Sequence, residues 1–360
     1  MVEALLKVLR GEGVRLWCEN GRLHYQAPKG ALTPARLSEI RAQQAEIVAF
    51  LESVPSIDGE AASIVPEQRT KKIQLSYSQE RLWFLNQLGV LGAAYHIAAA
   101  FHLEGTLDRS ALDRSFSEVI RRHEILRTRF ETLDGRAFQF VGPANAFHMD
   151  WQDFSGAVED ESETVTQNVI RDVVDKPFDL GSGELLRGSL LRVGGEEHVL
   201  VLVMHHIVSD GWSLGVLVRE VGELYAAQVE GRAPRLSALP IQYADYALWQ
   251  RRVLSGEVLE RQLGYWKERF AGVPAGLDLP PDRPRPAVQS HRGASHVFTL
   301  SGPLTAALSE LGRCEDATLF MVLLAAFDVL LARWSGQDDV VVGTPIAGRT
   351  RAETEELIGL

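Results

Sequence analysis

The stretch Met204-His205-His206-Ile207-Val208-Ser209-Asp210-Gly211-Trp212-Ser213 joins a predicted strand to a predicted helix. Before it, residues 197–204 form a nearly uninterrupted apolar and β-branched run, which indicates a strand buried on both faces. After it, apolar residues recur at helical spacing from Leu214 to Tyr225. Two histidines, an acid and a glycine therefore lie at an element boundary, where a rigid scaffold can present them to a ligand.

The two histidines are poorly placed to share a metal ion. Adjacent residues of a strand point to opposite faces, so His205 and His206 should not both reach one atom. A catalytic zinc site also needs three protein ligands, and only Asp210 stands nearby. We therefore predict no metal site, and a purely structural pair of buried histidines stays open as an alternative.

Length and composition set the outer bounds. The chain has 360 residues, of which 46% are hydrophobic and 24% charged, as in soluble globular proteins of two or three domains. A net charge of -11 without a basic stripe argues against nucleic-acid binding. Cys18 and Cys314 lack redox or metal spacing, which fits a reducing cytoplasm.

No segment predicts export or a membrane. The first ten residues resemble a short amphipathic helix rather than a signal peptide. The longest apolar region, 319–334, is interrupted by Asp328 and Arg333 and is shorter than a membrane span requires. We expect it to be a core helix.

The chain divides into segments by composition. Residues 1–54 form a small helix-hairpin-helix unit, and 55–72 is a polar, proline-containing linker. From 73 onward strands and helices alternate in an α/β (α+β) pattern, with strands at 98–103 and 199–204 and a helix at 108–123.

The first unit contains a strong hairpin signal. Asn20-Gly21 fits a type I′ turn, and the register then places Glu19 opposite Arg22 and Trp17 opposite His24. One face, expected to cover the helices, carries Leu16, Cys18, Leu23 and Tyr25. The other face carries Arg15, Trp17, Glu19, Arg22, His24 and Gln26.

Four segments in order resemble the motifs of nonribosomal peptide synthetase condensation domains: 75–85 (LSYSQERLWFL), 122–130 (RHEILRTRF), 204–213 and 243–250 (YADYALWQ). The resemblance covers 73–360. It implies a chloramphenicol acetyltransferase-like fold of two lobes, here 73–250 and the beginning of the second, incomplete lobe at 251–360. Carrier proteins would deliver donor and acceptor substrates on 4′-phosphopantetheine, and no cofactor would bind the domain directly.

The resemblance also implies the site roles. His206 would face the tunnel and assist attack of the acceptor amine on the donor thioester, as a general base or by holding the amine. The main chain of Gly211 could orient the thioester, and His205 would pack beneath the site. Asp210 is expected to form a structural ion pair with Arg127. Tyr243, Asp245, Tyr246 and Trp249 are expected to fix the lobe junction.

Residues 1–54 resemble docking domains of the TubC type. Such domains dimerise and receive the C-terminal tail of an upstream synthase across their hairpin. The exposed face would then bind an extended acidic peptide through Arg15, Trp17, Arg22 and His24.

Several alternatives stay open. Heterocyclisation domains carry aspartates where this chain has histidines and are excluded, whereas an epimerisation-type relative shares the histidines. A docking fragment without catalytic activity is a third possibility. The final residues, Leu357-Ile358-Gly359-Leu360, resemble the opening of the family's next motif. We therefore expect that a bacterial, cytoplasmic protein continues into adenylation and carrier domains, and that 1–360 alone is deficient in condensation.

Overall fold

A computed structural model describes residues 5, 9, 14–19, 22–27, 32, 33, 36, 37, 40, 41, 43–53, 63–68, 71–89, 92–156, 159–273, 276–284, 286, 287, 293, 294 and 296–360. The chain separates into two compact units, Met1–Ser63 and Ile64–Leu360.

The first unit contains the predicted hairpin. Strands β1 (Arg15–Glu19) and β2 (Arg22–Gln26) pair antiparallel with Glu19 opposite Arg22, which confirms the predicted register. Helix α1 (Gln44–Ser53) follows. The buried cluster consists of Leu5, Leu9, Val14, Ile40 and Ile47, with Leu16 and Leu23 packed against it.

One residue of the hairpin differs from its prediction. Tyr25 was expected on the covered face, but it is 54% exposed, because the apolar cluster extends to Leu16 and Leu23 and not to Tyr25. Of the predicted docking residues, His24 is half-buried. The side chains of Arg15, Trp17 and Arg22, and that of Cys18, lie outside the described part of the unit.

The second unit is built on two sheets. Their strands are β3 (Ile73–Gln74), β4 (His96–Glu104), β5 (Thr128–Leu133), β6 (Arg136–Val141), β7 (Asp150–Asp153), β8 (Leu186–Arg192) and β9 (Glu197–His205). The smaller sheet has the order β3-β6-β5 and the larger one β4-β9-β8-β7, in which only β7 and β8 run parallel. The strands predicted at 98–103 and 199–204 are confirmed, and they pair with each other.

The helices of this unit are α2 (Tyr77–Gln87), α3 (Arg109–Arg122), α4 (Glu159–Asp175), α5 (Gly211–Glu230), α6 (Tyr243–Val253), α7 (Gly256–Arg269), α8 (Gly302–Cys314), α9 (Leu319–Ser335) and α10 (Ala352–Glu355). The helix predicted at 108–123 is α3, and Asp108 caps its N-terminus by accepting from the Ala111 N–H at 2.9 Å.

Strand β9 is buried on both faces, as its apolar run predicts. Leu202 and Met204 belong to a core shared with α3 and α5, which pack against each other. Val201 and Val203 point to the opposite side and pack with residues of α4. This double burial holds the C-terminal end of β9 in a fixed position.

Part of the predicted linker is packed. Residues 54–62 lie outside the described part of the chain. Ile64, however, is buried against Ile241 and Leu357. The Glu67 N–H donates to Asp245 at 3.1 Å. The described end of this polar stretch is therefore part of the second unit.

The predicted core helix at 319–334 is a helix, α9, but none of its residues is buried. Its main packing partner is α8, and large side chains such as Phe320 and Trp334 are exposed. Within the described residues, no single helix is long and apolar enough to cross a membrane. The pair α8 and α9, bent by 104°, passes such a test together by length and composition alone.

Candidate active site

The site begins where β9 ends. The strand stops at His205, and His206–Val208 form one turn of 3-10 helix before α5 starts at Gly211. Asp210 caps α5, because its carboxylate accepts from the Ser213 N–H at 2.7 Å. This change from strand to turn separates the surroundings of the two adjacent histidines.

His205 lies beneath the site. Its side chain is buried, and its Nδ1 accepts from the Ile207 N–H at 3.0 Å. Burial lowers the pKa of His205 to about 4, and the nearby His96 and His206 add to the effect. The ring of His96 lies 6.0 Å away and is fixed by a 2.6 Å hydrogen bond from Nδ1 to the Val174 carbonyl. His205 is therefore a neutral residue that holds the turn.

His206 lines a cavity of about 490 Å³. Its N–H donates to the Tyr95 carbonyl at 2.8 Å, and the two rings meet edge to face at 6.4 Å. Its Nδ1 is buried and makes no hydrogen bond within the described residues. A substrate in the cavity can thus reach His206 only through the other ring nitrogen, Nε2.

Hydroxyl and main-chain groups surround His206 in this cavity. Gly211, the first residue of α5, lies on its wall. The other walls include Ser78, Trp212, Tyr243, Tyr246 and the segment 345–349. The cavity therefore combines one imidazole with polar groups on four helices, including Thr354 on α10, and a loop.

The predicted partner of Asp210 is wrong. Its carboxylate pairs with Arg349, whose Nη2 lies 3.2 Å away, and not with Arg127. Arg127 instead donates to the Gly142 carbonyl and lies 3.7 Å from Glu124 in the same turn of 3-10 helix. It also lines a separate cavity of about 850 Å³. Asp210 therefore forms its ion pair with a different arginine from the one predicted.

Arg349 ties the last residues of the chain to the motif. Its guanidinium also donates to the carbonyls of Thr354 and Gly359, both at 2.9 Å. Ser213 accepts from the Gly359 N–H at 3.0 Å, and the Trp212 indole donates to the Glu355 carbonyl at 2.7 Å. The segment 349–360 therefore closes one side of the cavity.

The residues predicted to fix the lobe junction divide into two groups. Asp245 is buried and accepts from the Gln242 N–H at 2.8 Å, and Trp249 stacks on Tyr246 at 5.9 Å. Tyr243 and Tyr246 make structural contacts too, but both also line the cavity with His206. Burial raises the pKa of both tyrosines, so each keeps its proton at neutral pH.

Sequence reasoning missed Arg349 and Ser78 as site residues, and it predicted a junction role for Tyr243 and Tyr246 without placing them on the cavity wall. Arg349 is 139 residues from Asp210, and a single sequence carries no signal for such a pairing. Ser78 lies inside the opening motif, and the resemblance of that motif carries no signal that this side chain lines the cavity. Across the described residues, no group of three or more His, Cys, Asp or Glu side chains is arranged to hold a metal ion.

Comparison with known proteins gives matches over both units. Residues 69–360 match the condensation domain family, and residues 2–53 match the TubC N-terminal docking domain. One of the linear gramicidin synthase proteins of Brevibacillus parabrevis is 49% identical over 296 residues, which cover 82% of this chain and 4% of that protein.

Two solved structures extend the comparison. The X-domain from teicoplanin biosynthesis superimposes with a TM-score of 0.73 at 29% identity, covering 83% of this chain and 65% of that one. The EpoB cyclization-docking bidomain from Sorangium cellulosum has a TM-score of 0.66 at 26% identity, covering 94% of this chain and 66% of that one. The chain thus spans about two thirds of these structures and a small part of the gramicidin synthase protein.

Proposed function

The chain belongs to the condensation domain family of nonribosomal peptide synthetases and carries a TubC-type docking domain at its N-terminus, and on this basis we propose that it forms peptide bonds. In the proposed reaction, the amine of an acceptor aminoacyl group attacks the thioester carbonyl of a donor. A C–N bond forms, the C–S bond breaks, and the donor's carrier thiol is released.

The placement of His206 carries this proposal. An α-amine has a pKa of about 7.7 to 8.0, so a useful fraction is already neutral at pH 7. As the C–N bond forms, the nitrogen becomes more acidic and must lose a proton. Nε2 of His206 takes that proton and returns it to the leaving thiolate. General-base assistance of this kind contributes about 10² to 10⁴-fold to a rate.

The substrates would reach the cavity on carrier proteins. A phosphopantetheine thioester on each of two carriers supplies the reacting groups, and the domain itself binds no further cofactor. The docking domain would receive the C-terminal tail of an upstream synthase and dimerise. Since Cys314 is an exposed free thiol, the reducing bacterial cytoplasm is the proposed location.

The docking role rests on the hairpin. Within the described residues, β1 and β2 pair only with each other, so each strand presents one unpaired backbone edge. An extended peptide can add to such an edge by main-chain hydrogen bonds. The exposed Tyr25 ring adds an apolar contact on this hairpin.

The experiment supplies the full-length protein with a donor-loaded and an acceptor-loaded carrier and measures the mass of the intact acceptor carrier. Condensation adds the donor acyl group to the acceptor, and an acceptor blocked at its amine stays unchanged. An unaltered acceptor mass, together with binding of an upstream tail peptide, would assign the protein to docking alone. If the mass of the carrier is unchanged but the stereochemistry of its acyl group is inverted, the epimerisation-type alternative is favoured.

A further inference from the structure

Gln79 is a fully buried polar side chain close to the turn that carries His206. It lies in the first turn of α2, whose N-cap is Ser76. The Ser76 hydroxyl accepts from the Gln79 N–H at 3.1 Å, and the Gln79 side chain accepts in return from the Ser76 N–H at 3.1 Å. This reciprocal capping box fixes the side chain at the helix terminus.

The capping box also determines which way the carboxamide faces. An N–H group must meet an oxygen, so Oε1 points to Ser76 and Nε2 points away from it. Nε2 donates to the Ile207 carbonyl at 3.3 Å. A second buried glutamine, Gln139, donates to Oε1 at 3.4 Å. Gln79 therefore links α2, strand β6 and the turn after β9.

We propose that Gln79 is a positioning residue that sets the location of the His206 ring. This inference rests on the proposed condensation activity. The Ile207 carbonyl immediately follows His206 in the chain, and the turn has only three residues. Its other anchors include the bonds from the His206 N–H to Tyr95, from the Ile207 N–H to His205 and from the Ser209 N–H to His206. The bond to Gln79 is a hydrogen bond from α2 to the turn, and it acts beside the packing between these two elements.

The hydrogen bond from Gln79 to the Ile207 carbonyl is hard to replace because it is buried. Water has no access to replace a lost donor at a buried carbonyl, so the turn must shift or leave the carbonyl unpaired. A displacement of about 1 Å at a reacting group can lower a rate about 10²-fold. Ser78, the neighbour of Gln79 on α2, lines the same cavity as His206. Gln79 thus sets the spacing between these two cavity walls.

The first test replaces glutamine by methionine of similar size at two positions in the full-length protein. Gln79→Met removes the donor to Ile207, whereas Gln139→Met removes an equally buried amide that bonds Gln74 and Gln79 but not the turn. Gln79→Met should lower kcat about 10- to 100-fold with little change in the KM for the acceptor carrier. Gln139→Met should lower the melting temperature and keep kcat within about threefold.

The second test uses Gln79→Glu, which keeps the shape and the acceptor for Ser76. An ionised glutamate places an oxygen against the Ile207 carbonyl, but a protonated one can donate to it, and burial raises a carboxyl pKa. The ratio of variant to wild-type kcat should therefore rise as the pH is lowered. A purely structural role predicts a constant ratio.

The outcomes separate the two proposals. Product from the wild type with loss in His206→Ala supports condensation, and an unchanged kcat in a folded Gln79→Met would then overturn the positioning role alone. A flat ratio for Gln79→Glu overturns it as well. Absence of product from the wild type would overturn the proposed function on which the inference rests.

Discussion

Nη2 of Arg349 lies 3.2 Å from one oxygen of Asp210 and 3.3 Å from the other. Both side chains are largely removed from solvent, at 7% and 15% exposure. The same carboxylate caps α5, and the same guanidinium binds carbonyls near the end of the chain. One ion pair therefore connects the histidine motif to the segment that closes the cavity.

Breaking this pair from one side should destabilise the protein. Arg349→Ala leaves the Asp210 carboxylate without its counter-charge, and such changes cost about 3 to 5 kcal/mol. Urea unfolding of Arg349→Ala, Asp210→Ala and the double variant should give a coupling free energy above about 1 kcal/mol.

The matched control is Arg127, which sequence reasoning paired with Asp210. The cycle of Arg127→Ala with Asp210→Ala should be additive within about 0.5 kcal/mol. Strong coupling to Arg127 with none to Arg349 would contradict the observed arrangement.

The buried His205 predicts a pH dependence of stability. Its pKa is about 4 in the fold and 6.5 ordinarily, so the unfolded chain binds more protons between these values. The contribution of His205 to the free energy of unfolding is complete above pH 6.5 and falls as the pH drops from 6.5 to about 4. The total loss over this range is about 3 kcal/mol. His205→Asn keeps an acceptor near the Ile207 N–H but cannot titrate. Its unfolding free energy should show a smaller slope in this range, and an unchanged slope would count against the burial of His205 as the cause.

The buried carboxylate of Glu220 predicts a second pH dependence of stability, at lower pH. Burial alone would raise the pKa of Glu220, but hydrogen bonds and charge from His123 and Arg122, at 2.8 and 3.0 Å, outweigh it and lower the pKa below the usual 4.5. Ionised Glu220 therefore stabilises the fold above pH 4.5, and this stabilisation is lost as the pH falls through its lowered pKa.

The variant that tests it is Glu220→Gln. At pH 7 it should destabilise by about 3 to 5 kcal/mol, because Arg122 loses its counter-charge and the His123 ring loses its carboxylate partner. The difference from the wild type should shrink below pH 4.5. A difference that stays constant between pH 7 and pH 3 would show that ionisation of Glu220 is not responsible.

If the docking hairpin binds an acidic peptide, reversing two of its positive charges should abolish that binding. Arg15→Glu combined with Arg22→Glu should abolish binding of an acidic peptide from the C-terminus of the upstream synthase, as measured by fluorescence anisotropy. Wild-type binding should weaken with added salt. The same reversal at the exposed Arg121 and Arg313 should leave the affinity unchanged. An equal loss of peptide affinity in both double variants would indicate that the peptide binds by non-specific charge attraction.

Local patterns predicted the elements that position the site. The apolar run at 199–204 has no alternation because β9 is covered on both faces, and the Asn-Gly pair in the sequence correctly predicted the register of β1 and β2. The exposure of α9 could not be predicted in the same way. An apolar helix becomes a core helix only where other surfaces cover it fully, and among the described residues α8 covers α9 only in part.

The site was predicted in part. The motif places His205 and His206 in different surroundings because strand geometry ends between them. The pairing of Asp210 with Arg349, and the contact of Gln79 with Ile207, join residues that are distant in sequence. Such contacts depend on tertiary packing, which periodicity and turn chemistry do not encode.

His206 is the residue that we expect to assist bond formation from the cavity wall. The most direct measurement is the single-turnover rate of dipeptide formation at saturating donor and acceptor carriers, for wild type and a folded His206→Ala variant. We predict a decrease of about 10² to 10⁴-fold with unchanged carrier binding. A rate within a few-fold of the wild type would contradict this role of His206.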